Sequence, residues 1–181
     1  MTDHDHPTEG FYGQFRDVLY GPDGRPVWDR GWVRNTIVAD CRRLLSAFMR
    51  GAPAVQPVIG LNVGAGLPVW DTSGPPQPSP TQAALVDPNP YRFPRASMQV
   101  EFINPANGTV SATPTNTLQL KAVLGPGVPT WPDANHGTST LREFGLVARV
   151  SGADVLVNYR THPAIAKDPA STLERTVWLV F

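Results

Sequence analysis

The sequence predicts a mainly-β fold: an antiparallel β-sandwich with one amphipathic helix at about residues 35–50 and long Pro/Gly-rich loops. Three observations predict it. Seven or more segments of ~5 to 8 residues alternate apolar and polar side chains, or are rich in β-branched and aromatic ones, with turn residues between them. Only one stretch carries the apolar period of a helix. Gly and Pro supply 16 and 20 of the 181 residues, so the connections are long, while a 41% apolar share still suffices for a core. The length fits one domain.

Taken in order, MTDHDHPTEG has almost nothing to bury and reads as part of a flexible arm over 1–14, with a single sandwich domain over 15–181. His4-x-His6 supplies too few fixed ligands for a metal clip. FRDVLY, the turn GPDG and PVWDRGWV read as a β-hairpin. TIVADCRRLLSAFMR is the helix: Asn35 or Thr36 is the expected cap, Gly51 the left-handed stop, and Ile37, Cys41, Leu44, Leu45 and Phe48 the core-facing stripe. Cys41 on that stripe is a small core residue rather than a reactive thiol.

Val58, Ile59, Leu61 and Val63 form a short buried strand before a turn at Gly64 and Gly66. GLNVGAG lacks the Gly-Lys-Ser/Thr ending of a phosphate loop, and Leu67 to Trp70 reads as extended chain. Residues 71–94 hold seven prolines and read as an extended surface excursion, with Ala83 to Val86 as a helical turn or apolar anchor. The remainder reads as antiparallel β. SMQVEFINP turns at Asn107-Gly108 into return strands, GPGVPTWPDANHG is a second loop, and TLREFGLVARV, ADVLVNYRTHP and TLERTVWLVF are strands, the last inside the sheet.

Fifteen Lys+Arg balance fifteen Asp+Glu, which removes the electrostatic term behind nonspecific nucleic-acid affinity, so no nucleic-acid partner is expected. One Cys cannot form an intrachain disulfide, and no Cys/His set has zinc-finger spacing. No run approaches the ~18 apolar residues of a membrane span, and the N-terminus lacks the basic and apolar regions of a signal peptide, so neither insertion nor export is expected. No metal or other cofactor is expected.

Catalytic groups are sparse. His136 and His162 have no nucleophile or orienting partner fixed by local spacing and read as structural or exposed. Glu101, Glu143 and Glu174 fall in strands; Glu143 beside Arg142 and Glu174 beside Arg175 read as rim ion pairs or interface contacts. Trp28, Trp32, Trp70, Trp131 and Trp178 share no spacing that makes a sugar platform. The chain is expected not to be an enzyme.

The order of elements resembles a group of bacteriophage and phage-like tail structural proteins. Its members open with a hairpin, an Asn-containing junction into an amphipathic helix, and a strand ending in a Val-Gly-x-Gly-like turn. Asn35, Gly64 and Gly66 stand at the matching places in GWVRNTIVADCRRLLSAFMRG and VIGLNVGAGLPVWD. The second half is similar to the group's ending: an E-x-G-L strand with Glu143, Gly145 and Leu146, an H-P-x-I-x-K connection with His162, Pro163, Ile165 and Lys167, and a final strand opening on Thr172-Leu173. The match covers most of the chain from Phe15 and departs at 72–94 and 125–136.

The resemblance implies a structural subunit of a tail, neck, cap or baseplate region, or of a contractile injection particle. Its partners would be copies of itself and other particle proteins, within a particle assembled in the bacterial cytoplasm. It transfers no catalytic residue. Expected assembly contacts are Pro75, Pro76, Pro78 and Pro80 of the excursion, Trp131 of the second loop, His162 and Pro163 of the connection, and Phe181. A receptor- or glycan-binding module on such a particle is the alternative, and a cell-wall polysaccharide hydrolase using Glu101 and Glu143 a further one.

Overall fold

The computed structural model describes residues 10–181. The His4-x-His6 pair and the first nine residues of the expected arm lie outside the described residues. The hairpin forms as predicted from β1 (Tyr12–Tyr20) and β2 (Pro26–Ile37), with the Gly21 N–H donating to the Arg25 carbonyl at 2.9 Å. Tyr12 to Gln14, assigned to the arm by sequence, already pair as strand.

After α1 (Ala39–Arg50) and β3 (Val55–Gly64) comes a short helix α2 (Trp70–Ser73), then β4 (Tyr91–Pro94), a 3-10 turn over Arg95–Ser97 and β5 (Gln99–Ile103). The Asn107-Gly108 turn leads into β6 (Val110–Ser111), followed by β7 (Thr117–Leu124) and β8 (Thr140–Val150). β9 (Ala153–Leu156), β10 (Asn158–Ala166) and β11 (Thr172–Val180) complete the chain.

The fold is mainly β and antiparallel, as predicted. Among the described residues the strands run β4-β3-β8-β10-β2-β1-β11-β7-β5-β6, with β9 also on β8. This path curls onto itself. Phe15 of β1 and Phe144 of β8, with β2 and β10 between them along it, meet edge to face at 4.9 Å. The two halves share one core, to which Leu120, Leu173 and Val177 contribute from one side and Leu61, Leu141 and Leu146 from the other. Among the described residues their strands pair only where β2 meets β10, at Ile37 with Asn158 and Thr36 with Tyr159. There the Asn158 side-chain oxygen accepts the Leu146 N–H of β8 at 2.8 Å.

That joint corrects the predicted helix start. Asn35, Thr36 and Ile37 belong to β2, Val38 is the N-cap without a side-chain bond, and the helix begins at Ala39. Pairing of Ile37 outcompetes helix propensity, and the Pro80 carbonyl accepts the Ala39 N–H at 2.8 Å in place of a cap. Asn35 packs instead on Gly13. Gly51 ends the helix at φ 67°, as expected. Of the predicted stripe, Cys41 and Leu44 are buried and Leu45 is half-buried, but Phe48 is 42% exposed.

Leu67 to Trp70 is not extended: the Trp70 N–H bonds the Leu67 carbonyl at 3.0 Å and enters α2. The Pro-rich excursion lies as a third layer on β8 and β10. Leu85 is its apolar anchor, packed with Val38, Val147, Leu156 and Tyr159, and Thr161 donates to the Pro76 carbonyl at 2.6 Å. Its last residues form the edge strand β4, where proline is tolerated. β11 sits inside the sheet, between β1 and β7.

Candidate functional site

β4 and β5 follow one another in sequence yet lie toward opposite ends of the strand path, so the 3-10 turn between them crosses an unclosed seam. Helix α1 covers part of it. What remains is a groove of about 500 Å³, walled by Leu44, Leu45 and Phe48 of the helix, Val58 of β3, and Val100 and Phe102 of β5, with Phe181 at its mouth. Its lining is almost wholly apolar; Arg95 and Glu101 are the charged side chains there. Phe102, Val110 and Phe181 are 36%, 59% and 41% exposed, an apolar rim that water disfavours. β5 pairs with β6 only at Phe102 and Ile103, so among the described residues its Gln99 to Glu101 stretch has no strand on that edge. Cys41 lies at the groove floor, and burial pushes its thiol up to about 11.

The structure sorts the expected contact residues into two sets. Phe181 and Pro163 are exposed, and Phe181 lines the groove. Pro76 and Pro80 are exposed, and Pro75 and Pro78 half-buried, on an excursion tied down by its own chain. Trp131 and His162 are buried inside the subunit and are not contact surfaces: Trp131 stacks on His136 at 3.8 Å, and His162 faces the interior arginine Arg175 at 3.1 Å.

The rim ion pairs are likewise corrected. Glu143 is fully buried and pairs with no arginine. Its carboxylate accepts the Tyr159 hydroxyl at 2.5 Å and the Val86 and Asp87 amides at 3.0 and 2.6 Å. Burial, then the bond to Glu143, holds the Tyr159 hydroxyl far above its ordinary range. Asp87 accepts the Ala65 N–H at 2.8 Å and contacts His136 at 3.0 Å, whose other ring nitrogen meets Asp133 at 2.8 Å. Arg142 grips Asp71 through two bonds of 2.8 and 2.7 Å. Glu174 pairs with Lys121 at 2.9 Å, whereas Arg175 is fully buried and holds Asp17 through bonds of 2.8 and 2.7 Å.

Several motif residues acquire a physical reason. A Cβ on Gly64 would lie 2.7 Å from the Glu143 carboxylate, and Gly66 takes φ +56° with the Trp70 ring packed on it. Lys167 is buried and donates to the Gly125 and Ser171 carbonyls at 2.8 and 2.9 Å, pinning two loops together. Each residue stabilises loop geometry. The acid pair considered for hydrolysis is split, with Glu101 on β5 and Glu143 on β8 already occupied by three donors.

Sequence spacing hid one surface feature. Trp32 of β2 and Trp178 of β11 flank β1 and meet at 4.5 Å on the outer face of the sheet. Trp178 donates to Gln119 at 2.8 Å, and Trp32 is 41% exposed. Strand register was the missing signal: Gln14 stands opposite Trp178, and Arg16 opposite Trp32.

Among the described residues, no group of three or more His, Cys, Asp or Glu converges as a metal site, and no helix is long and apolar enough to cross a membrane. No protein-family model, curated protein or solved structure matches the chain.

Proposed function

We propose that the chain is a structural subunit of a phage or phage-like tail particle, in its tail, neck, cap or baseplate region, and that it acts through protein–protein contacts. The observation that carries this is the groove at the open seam. A rim of Phe48, Phe102, Val110 and Phe181 around an apolar floor is costly to leave in water and becomes favourable when a neighbouring subunit covers it. The unpaired edge of β5 beside it adds backbone donors and acceptors suited to another chain. A surface of balanced charge with few charged residues suits packing among like subunits.

Sedimentation velocity and negative-stain imaging of the purified chain test this. Rings, tubes or discrete oligomers that disperse in a Phe102→Glu variant are expected. A wild type that stays monomeric at every concentration, indistinguishable from the variant, overturns it.

The Trp32–Trp178 pair favours a second reading, a glycan-binding module on such a particle, because sugars stack on exposed indoles beside amide side chains such as Gln14 and Gln119. A glycan array with wild type and Trp32→Ala separates the two.

A further inference from the structure

We infer that the interior of the curled sheet holds a binding site for a small anion of chloride size, between the guanidinium groups of Arg160 and Arg175.

The site is built by register. Arg16 pairs with Trp32 and Val18 with Asp29, so Asp17 faces a bulge formed by Arg30 and Gly31, the latter at φ +69°. On its other side Asp17 stands directly opposite Arg175 and accepts two bonds from it. Alternation along β10 puts Arg160 on the same face as His162, which lies 3.1 Å from the Arg175 guanidinium. The Arg160 and Arg175 guanidinium carbons each lie 6.0 Å from the centre of the Phe15 ring, and that of Arg175 lies 4.0 Å over Phe144.

Arg160 and Arg175 thus share this face with one carboxylate, while Arg30, half-buried at the bulge, sets its guanidinium 5.5 Å over the Trp28 ring. His162 adds no negative charge, and burial, reinforced by Arg175, pushes its imidazole down to about 3, so it is neutral near neutral pH. Burial also lowers Arg160 and Arg30, the latter further through Arg175 and Arg160 despite the attraction of Asp17. An uncompensated buried charge is expensive and calls for a counter-charge.

The hydrogen bonds agree with the charge. Arg175 uses Nε and one terminal nitrogen on Asp17, while its Nη1 is buried without an acceptor. Arg160 Nε is likewise buried without an acceptor. These are N–H donors from two strands, one in each half of the sheet, and charge-assisted bonds to an anion would satisfy both. Arg175 is fully enclosed and Arg160 half-buried, a setting that favours a monatomic anion over a bulky oxyanion. Bound there, the anion would add to the His162–Arg175 contact in tying β10 to β11, across halves whose strands pair, among the described residues, at only two residue pairs.

Crystals grown in sodium bromide, with diffraction collected at the bromine edge, test the site directly. An anomalous peak within about 3.5 Å of Arg160 Nε and Arg175 Nη1 is expected. Ordered water at both donors, or bromide confined to the surface, overturns the proposal. In solution, thermal unfolding at constant ionic strength should show a higher midpoint in chloride than in gluconate, a difference lost in Arg160→Gln, which leaves the Asp17–Arg175 pair intact. A midpoint indifferent to anion identity in the wild type also overturns it. Neither measurement depends on whether the chain assembles.

Discussion

Asp17 and Arg175 are separated by almost the whole chain, yet they pair through two hydrogen bonds in the core. Leaving one partner alone in such a place costs about 3–5 kcal/mol, so Asp17→Asn should lower unfolding stability by roughly that amount in urea titrations. The neighbouring His162 adds a pH dependence. Its folded imidazole is held down at about 3 by burial and by Arg175, whereas the unfolded chain protonates near its ordinary value of 6.5. The unfolded state therefore binds the extra proton in acid, and stability falls as pH drops through that window. One such proton is worth about 1.4 kcal/mol per pH unit. Asp17, driven up by burial but more strongly down by Arg175, adds to the loss only below its usual carboxylate range. Urea midpoints measured between pH 6.5 and 4 should fall accordingly, and His162→Gln should flatten the slope. Cys41, buried and with a raised pKa, should react with a thiol reagent only upon unfolding, as quenched-flow labelling would show.

At the scale of elements, the Pro-rich excursion is held by polar bonds more than by its own structure. Tyr159→Phe removes the hydroxyl donor from Glu143 and should cost about 1–3 kcal/mol, with faster proteolytic cutting between residues 74 and 90 as the specific sign. A variant whose cutting rate is unchanged would contradict that anchoring role. The same elements show what a sequence makes legible. Local chemistry sufficed for the Gly21–Arg25 turn, the Gly51 helix stop, the Asn107-Gly108 hairpin and the interior place of β11. It failed at Asn35 to Ile37, where pairing with Asn158 and Tyr159, more than a hundred residues on, keeps the backbone extended. It failed again at Glu143 and Arg175, because sequence neighbours on a strand point to opposite faces and the actual partners arrive from other strands. The groove and the Trp32–Trp178 pair were invisible for the same reason: each is made by curling and register, not spacing.

For the whole molecule, the curl leaves both ends of the described chain in one place. Phe11 and Phe181 meet edge to face at 5.6 Å, and Phe181 stands at the mouth of the groove. An affinity tag fused behind Phe181 would therefore emerge where a neighbour is proposed to dock, and should hinder oligomers sterically. The same tag inserted at Asp23, on the exposed tip of the first hairpin, should leave them unharmed, and size-exclusion chromatography of the two fusions compares them. A permuted chain, with these two ends spliced by a short linker and new ones opened in the exposed 105–109 turn, should keep every strand pairing except β5 with β6.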